Sequence, residues 1–383
     1  MIVLPKIPAD VVTAPLQRSF TLEASAINAL VPFGASAAYL TAYLRAWMPY
    51  RDFWNYEDGM IWKGALDLYA ALGDQALLDF VTTEVTSRVT PSGAIPSFRP
   101  DEYNIDGVHA GKVLLPLWEL TGDDRYRRAM DVQWSQLESH PRTHSGNYWH
   151  KQIYPWQVWL DGLYMAQPFQ AQFARVTSNP NLVSDMVRQF LNADLHMKNA
   201  VTGLSYHGWD ESKAERWADP VTGCSPCFWG RAMGWWVMAL ADAHDVTPRD
   251  ELARLLRSSL TALLAVRSPG GLWHQVLDQG SRQDNYEEAS ASLMIAYALM
   301  KAARLGIVHP DAGRAGYHAL QAVCARFLTV NALDGICGVA GLGNIPYRDG
   351  SYAYYMSEKI TPNDPKGVGA LMMALSEGLQ NGY

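Results

Sequence analysis

The sequence predicts an all-α protein, folded as an (α/α)₆ toroid or barrel in a single domain. From residue 35 onward it reads as long amphipathic or wholly apolar helical segments, without a sustained period-two run of β-branched residues. Two segments end alike, LDLYAALGD at Asp74 and LLPLWELTGD at Asp123. In each, glycine ends one helix and aspartate can cap the next, which is typical of an αα-hairpin.

A recurring glycine sets the number of helix pairs. A glycine followed by short alternating apolar residues occurs at positions 93, 146, 203, 271 and 335, with spacings of 53, 57, 68 and 64 residues. One helix pair with its two loops fills about that length. These five glycines, with the helices before the first and after the last, predict six pairs in a closed ring.

The ring also predicts where function lies. Inner helices of such a ring are apolar all round and outer helices are amphipathic. The segments 155–175 and 226–242 have the inner character. The glycine loops should cluster at one mouth, and we expect the functional site there. Residues 1–34 are predicted to be an N-terminal extension and residues 35–383 the catalytic barrel.

Composition narrows the class of protein. Hydrophobic residues make up 49% of the chain and charged residues 18%, which is enough apolar material for a large core. The 14 Trp and 19 Tyr suit a sugar-binding cleft, because pyranose rings have apolar faces, and equally suit a thick helical core. A formal charge of −7 without a basic run argues against nucleic acid or an anionic membrane as the partner.

The sequence favours a cytoplasmic protein. Its N-terminus, MIVLPKIPADVV, lacks the features of a signal peptide, and no apolar run approaches membrane-spanning length. Cys224 and Cys227 form a C-x-x-C pair, but no second pair or His set completes a zinc site. We therefore expect two reduced thiols there.

The stretch His144 to Met165 combines two His, one Lys, three Trp and one Asp. Pro155 stands where a first helical turn would begin, so a helix is predicted from there. The only carboxylate is Asp161, among apolar neighbours. Such surroundings raise the pKa of a carboxyl group, as a proton donor working near neutrality requires. The alternative is a buried structural aspartate, satisfied by the backbone or by His150.

A second carboxylate precedes the next candidate inner helix. Asp106 lies in YNIDGVHAGKVLLPLWELTGD, just before a helix expected near Val108, where it would be a good N-cap. A catalytic role gains weight only if Asp106 faces Asp161, because a nearby carboxylate would raise the pKa of the buried one. Upstream, Tyr56 begins the first clear inner helix and is expected to line the mouth.

A cation near a helix start is the third candidate. Ser225 and Pro226 resemble a cap and first turn, which places Arg231 near the helix N-terminus. A cation there opposes the helix dipole, but together with the free N–H groups it can hold an anion. The alternative is pairing with a structural acid, Asp219 or Glu215. Three tryptophans flank the arginine: Trp229, Trp235 and Trp236.

The role of His207 is undecided from the sequence, and the absence of several motifs excludes some enzyme classes. His207, in the loop after Gly203, is either a hydrogen-bonding contact to a ligand or a surface histidine. The chain contains no G-x-G-x-x-G after a strand, no Walker loop, no G-x-S-x-G and no H-E-x-x-H. These absences remove the dinucleotide-binding, P-loop, serine hydrolase and zincin classes from consideration.

Taken together, four segments resemble glycoside hydrolase family 105, the unsaturated rhamnogalacturonyl hydrolases, and more distantly the family 88 unsaturated glucuronyl hydrolases. The similarity runs from about Trp54 to the C-terminal NDPKGVGA segment. The segments are WNYEDGMIWKGALDLY, the Asp106 segment, WHKQIYPWQVWLDGLYMAQPF and DESKAERWADPVTGCSPCFWGRAMGWW.

The resemblance implies an (α/α)₆ barrel that acts on the unsaturated uronic sugar left by polysaccharide lyases. An aspartate protonates C4 of the C4=C5 enol ether, water adds at C5, and the hemiketal opens to release the next sugar. Asp161 would be the general acid and then the base, with Asp106 as the second carboxylate. The implied substrate is a small unsaturated oligosaccharide, and no cofactor or metal is implied. The matching substrate contacts are polar groups at His150, Lys151 and His207, an aromatic wall of Trp229 and Trp235, and Arg231 for the anion.

Four alternatives stay open at this point. One is a family 88-like unsaturated glucuronyl hydrolase. A conventional inverting glycosidase would use Asp106 and Asp161 in separate roles, and a sugar epimerase would use His150 and His207. A non-catalytic sugar-binding toroid would need only the Trp-rich mouth, since function lies in the site rather than the fold.

Overall fold

The computed structural model describes residues 19–382, almost entirely as helices and loops. Residues 1–12, on which the absence of a signal peptide was predicted, lie outside the described residues. The α-helices are α1 Ala24–Ala29, α2 Ser36–Arg45, α3 Tyr56–Leu72, α4 Gln75–Thr86, α5 Leu114–Thr121, α6 Asp124–Glu138, α7 Leu160–Thr177, α8 Pro180–Met197, α9 Gly230–Val246, α10 Asp250–Ala265, α11 Ala289–Arg304, α12 Pro310–Phe327, α13 Tyr352–Ser357 and α14 Pro365–Gln380. The 3₁₀ helices are Val31–Phe33, Pro100–Glu102, Ile105–Val113 and Leu277–Gln279, and the strands are β1 Gln157–Trp159 and β2 Gly208–Asp210.

Six inner helical segments form a closed ring. Contacts run from α3 to the 3₁₀ helix Ile105–Val113, which α5 continues, and then through α7, α9, α11 and α14 back to α3. Glycines allow α3 and α14 to approach closely: a Cβ on Gly369 would lie 2.5 Å from the Met60 carbonyl oxygen. The helical content and this closed ring confirm the predicted all-α, (α/α)₆ architecture.

Outer helices α4, α6, α8, α10 and α12 alternate with the inner ones along the chain. Each is followed shortly by one of the five recurring glycines. All five glycines have positive φ, between 71° at Gly335 and 101° at Gly146. Only glycine adopts that conformation without strain, which is why the sequence repeats it at this point of each unit.

The helix-ending signals at two hairpins are also confirmed. Gly73 and Gly122 end α3 and α5 in the left-handed conformation, with φ of 70° and 69°. Asp74 and Asp123 then cap α4 and α6 by accepting backbone N–H bonds from Ala76 and Arg125. The two αα-hairpins could therefore be predicted from the glycine that ends one helix and the aspartate that caps the next.

The described part of the predicted extension packs against the ring. Phe20 lies edge-on to Phe80 of α4, and Phe33 lies edge-on to Tyr317 of α12. Both Phe20 and Phe33 are buried in the core. The N-terminal helices thus lie between α12 and α4, beside the closing pair α14 and α3.

Two predicted helix starts are wrong, and strand pairing is the reason. The helix predicted from Pro155 begins at Leu160, because residues 157–159 instead form β1, antiparallel to β2. The helix predicted from Pro226 begins at Gly230, because the Ser225 N–H donates to the Gly208 carbonyl and extends the chain there. Long-range pairing overrides the local proline signal at both sites.

Candidate active site

A cleft of about 220 Å³ opens at the N-terminal ends of the inner helices. Tyr56 begins α3, Asp161 lies in the first turn of α7, and Arg231 lies in the first turn of α9. Because the free N–H groups and positive poles of the inner helices converge here, the mouth is suited to an anionic ligand.

The structure brings eight of the nine predicted site residues into this one cleft. The ninth, His207, lies behind Asp161 and is fully buried. A larger cavity of about 670 Å³ adjoins the cleft and shares Tyr50 and Val339 with it. The eight residues are Tyr56, Asp106, His150, Lys151, Asp161, Trp229, Arg231 and Trp235.

Asp161 does not have the raised pKa that its apolar sequence neighbours suggested. Its Oδ2 lies 3.2 Å from His207 Nε2, within ion-pair distance, although the two groups are not aligned as a hydrogen bond. Burial raises the pKa of Asp161, but His207, His150 and Arg231 outweigh burial and lower it. The carboxyl group is therefore ionised at neutral pH before substrate binds.

His207 is neither a surface histidine nor a direct lining of the cleft. Its Nδ1 lies 2.8 Å from the Tyr355 hydroxyl, and its Nε2 faces Asp161. The ring is packed beside Trp229 and Trp159, with centroids 4.6 and 5.3 Å away. His207 thus lies beside Asp161 rather than among the residues that line the cleft.

Asp106 is not the N-cap that the sequence suggested. It lies inside the 3₁₀ helix, which Asn104 caps by accepting the Asp106 N–H. Its carboxylate lies 2.5 Å from Lys151 Nζ and 3.7 Å from His150 Nε2. Asp106 is therefore already paired. The pKa of Asp161 is instead set by burial, which raises it, and by His207, His150 and Arg231, which lower it.

His150 lies between the two carboxylates. Burial lowers its pKa to about 4, against the opposing attraction of Asp106. Its ring stacks on Trp159 at 4.3 Å, and Nδ1 has no hydrogen-bond partner among residues 19–382. Because the ring is neutral at pH 7, His150 can donate or accept a hydrogen bond at the cleft wall.

Arg231 is buried at 1% exposure and anchored to the backbone. Its Nη1 donates to the Cys337 carbonyl and its Nη2 to the Gly338 carbonyl at 3.4 Å. The predicted alternative, a structural acid beside the arginine, is met by Glu288 at 3.9 Å rather than by Asp219 or Glu215. Arg231 Nε has no partner among the described residues, and the guanidinium lies over the Trp229 ring at 4.5 Å.

Sequence reasoning missed four charged residues of the cleft. Among them, Glu57 has a pKa raised to about 7 by burial, which Lys366 partly offsets. No local motif marks them as a group, because they come from opposite ends of the chain and meet only when the ring closes. They are Arg51, Glu57, Arg348 and Lys366.

The cysteine pair and the apolar character of the helices can be compared with the sequence predictions. Cys224 and Cys227 are free and buried, as expected for reduced thiols, and lie outside the cleft lining. No helix in residues 19–382 combines the length and apolarity needed to cross a membrane.

Comparisons with known proteins fit this geometry. The model of Glycosyl Hydrolase Family 88 matches residues 38–381. Unsaturated rhamnogalacturonyl hydrolase YesR of Bacillus subtilis is 31% identical over 266 residues, covering 66% of this chain and 72% of that protein. Protein Atu3128 of Agrobacterium fabrum is 44% identical over 230 residues, covering 56% of this chain and 98% of that protein.

A solved structure is similar over nearly its whole length. A family 105 glycoside hydrolase from C. acetobutylicum ATCC 824 is 40% identical, with a TM-score of 0.84, covering 91% of this chain and 98% of that chain. With the helical ring and its polar mouth, these matches show that the chain belongs to the unsaturated-uronide glycoside hydrolases of families 88 and 105.

Proposed function

We propose that this protein removes the unsaturated galacturonyl residue from lyase-generated rhamnogalacturonan oligosaccharides. Asp161 protonates C4 of the enol ether, water adds at C5, and the hemiketal opens to release the next sugar. The observation that carries the proposal is the unequal state of the two carboxylates: Asp106 is paired with Lys151, whereas no lysine or arginine in residues 19–382 forms an ion pair with Asp161.

One free carboxyl group suits hydration of a double bond. A conventional inverting glycosidase needs one acid and one base, each free to act on a different atom. Asp106 is held 2.5 Å from Lys151 Nζ, so its carboxyl group is already engaged in an ion pair. In hydration, Asp161 alone gives a proton to C4 and then accepts one from the water that attacks C5.

An ionised Asp161 in the empty protein is compatible with its role as an acid. The uronate brings a negative charge to the cleft, and a nearby like charge raises the pKa of a carboxyl group. Binding also removes water from Asp161, which raises the pKa further. We infer that substrate binding itself loads the proton onto Asp161.

The cleft charges support an anionic substrate. Five cations and three acids line it. Lys151 pairs with Asp106, Lys366 pairs with Asp364 at 2.7 Å, and Arg231 lies 3.9 Å from Glu288. Arg231 lines the cleft in the first turn of α9, and its Nε has no hydrogen-bond partner among residues 19–382. We assign the uronate carboxylate to Arg231, and the sugar face to the aromatic wall of Trp229 and Trp235.

The other predicted contact residues can bind the hydroxyl groups of the sugar. Tyr56, His150 and Lys151 line the cleft and offer a hydroxyl, an imidazole and an ammonium group to sugar hydroxyls. The adjoining cavity of about 670 Å³ has room for the leaving sugar. The four free cysteines support the further proposal that the protein works in the reducing cytoplasm.

The choice of sugar rests on the relatives. YesR carries the name of an unsaturated rhamnogalacturonyl hydrolase and shares 31% identity with this chain. An unsaturated glucuronyl substrate is the closest competing candidate, since the family 88 model also matches.

The test is to mix the purified protein with lyase-digested rhamnogalacturonan and follow the ultraviolet absorbance of the conjugated uronate. Loss of absorbance with release of rhamnose is the expected result. Loss only on unsaturated glucuronyl disaccharides would move the specificity to the competing candidate. Unchanged absorbance on both substrates, or equal turnover of a saturated substrate, would overturn the proposed reaction.

A further inference from the structure

A buried tyrosine from the C-terminal part of the chain contacts the site from behind. Tyr355 lies in α13 and is fully buried, with its hydroxyl 2.8 Å from His207 Nδ1. His207 Nε2 in turn faces Asp161 Oδ2 at 3.2 Å. Tyr355, His207 and Asp161, from distant parts of the chain, therefore form one line of successive side-chain contacts that ends at the proposed general acid.

The Tyr355 hydroxyl and the Asp161 carboxylate determine which nitrogen of the His207 ring carries the proton. A hydroxyl can donate to one ring nitrogen of a neutral histidine only if that nitrogen is the acceptor, and the proton then resides on the other nitrogen. Burial raises the pKa of Tyr355 well above its usual range, so the phenol keeps its proton. When this hydroxyl donates to Nδ1, Nε2 carries the hydrogen that faces Asp161.

We propose that Tyr355 is a positioning residue that holds His207 in the tautomer with a hydrogen on Nε2, the nitrogen that lies 3.2 Å from Asp161 Oδ2. This inference rests on the proposed function. Oδ2 is the buried oxygen of Asp161. An Nε2–H at Oδ2 stabilises the ionised carboxylate in the empty cleft and leaves Oδ1 to exchange the proton with the substrate.

Other titratable groups lie near Tyr355, His207 and Asp161, and the substitution of Tyr355 leaves all of them in place. His150 and Arg231 also act on Asp161. The thiols of Cys227 and Cys337 lie near Tyr355 and carry no charge at neutral pH, because burial raises the pKa of both. Removing only the Tyr355 hydroxyl therefore isolates its effect on His207.

The test variant is Tyr355→Phe, which keeps the ring that stacks on Trp229 at 5.9 Å. Without the donor, His207 can place its hydrogen on Nδ1 and direct a lone pair at Asp161, which raises the pKa of that carboxyl group. We expect kcat to fall about tenfold with KM within about twofold, and the alkaline limb of kcat/KM to move to higher pH.

The matched control is Tyr354→Phe, one residue earlier in α13. Its hydroxyl accepts the Gly341 N–H at 2.9 Å and does not contact His207. We expect the Tyr354→Phe variant to keep the wild-type pH profile. An unchanged rate and an unchanged pH profile in Tyr355→Phe would overturn the proposal, as would an identical shift in both variants.

A second measurement needs no substrate. Nitrogen-15 NMR of labelled histidine in the wild-type protein distinguishes a protonated from a bare Nε2, and loss of one ring signal in His207→Gln assigns it. A hydrogen on Nδ1 of His207 would overturn the inference. Because this measurement is independent of turnover, failure of the proposed reaction would be seen separately, as an inactive wild-type protein.

Discussion

Asp161 and His207 are brought together by the short sheet of β1 and β2. Trp159 pairs with Gly208 in that sheet, and the Leu160 N–H donates to the His207 carbonyl at 3.1 Å. Asp161 follows directly at the start of α7, so its carboxyl group is held 3.2 Å from His207 Nε2. The sheet thus sets the charge state of the proposed acid.

Asp161→Asn should abolish turnover and retain substrate binding. The amide has nearly the same shape as the carboxyl group, but it cannot give a proton to C4 or accept one from water. We expect kcat to fall by at least about a thousandfold, with the dissociation constant for the unsaturated disaccharide within about fivefold of wild type. Absorbance loss and calorimetric titration measure the two quantities, and appreciable residual turnover would refute the assignment.

Glu57 should make substrate binding weaken as pH rises through neutrality. Its pKa is raised to about 7, mainly by burial, so the group is neutral below that pH and negative above it. The added charge repels an anionic substrate in the shared cleft. We expect KM to rise several-fold between pH 6 and about pH 8 in the wild type.

Glu57→Gln is the matched variant, because its side chain stays neutral at every pH. KM of this variant should remain nearly flat over the same interval, with kcat close to wild type. Parallel KM profiles for the two proteins would show that Glu57 does not act on the substrate.

Arg231→Ala should raise KM and also destabilise the fold. The guanidinium lines the cleft and its Nε has no partner among the described residues, while Nη1 and Nη2 donate to the carbonyls of Cys337 and Gly338. Its removal leaves buried carbonyl groups unsatisfied, which costs about 1–3 kcal/mol for each. We expect KM to rise at least about tenfold and the urea midpoint to fall; an unchanged KM would refute the anion contact.

The fold was largely predictable because its signals are local and repeated. The glycine after each of the five outer helices must adopt positive φ, so the sequence displays it in every unit. Gly73 with Asp74 and Gly122 with Asp123 mark helix ends through their own conformations. Such signals do not depend on knowing which segments meet in space.

The site was less predictable where its properties depend on distant contacts. The sequence neighbours of Asp161 are apolar, and they correctly indicate burial, but the pKa follows His207 and Arg231, which arrive through the sheet and the ring. Glu57 and Lys366 meet because α3 packs on α14. No sequence motif around Tyr355 indicates that it contacts His207, because the two residues meet only in the folded chain.

The opposite end of the ring should contribute stability without affecting turnover. Asp242, near the C-terminal end of α9, accepts hydrogen bonds from Tyr297 at 2.6 Å and Lys301 at 2.9 Å, with Lys63 at 3.7 Å. Burial opposes ionisation, but these cations lower the pKa of Asp242 well below its usual range. Asp242→Asn leaves buried ammonium groups with less counter-charge, which costs about 3–5 kcal/mol.

Urea unfolding at pH 7 and kcat measure this prediction together. The free energy of unfolding should fall by about that amount with kcat unchanged, because the cleft lies at the other end of the helices. Because the folded-state pKa is depressed, the wild-type advantage is present at neutral pH and lost as pH falls below the usual aspartate range. As a control, Asp131→Asn removes an exposed partner of Arg127, 57% accessible, and should cost under about 1 kcal/mol. Equal effects of the two substitutions would show that burial does not strengthen the Asp242 cluster.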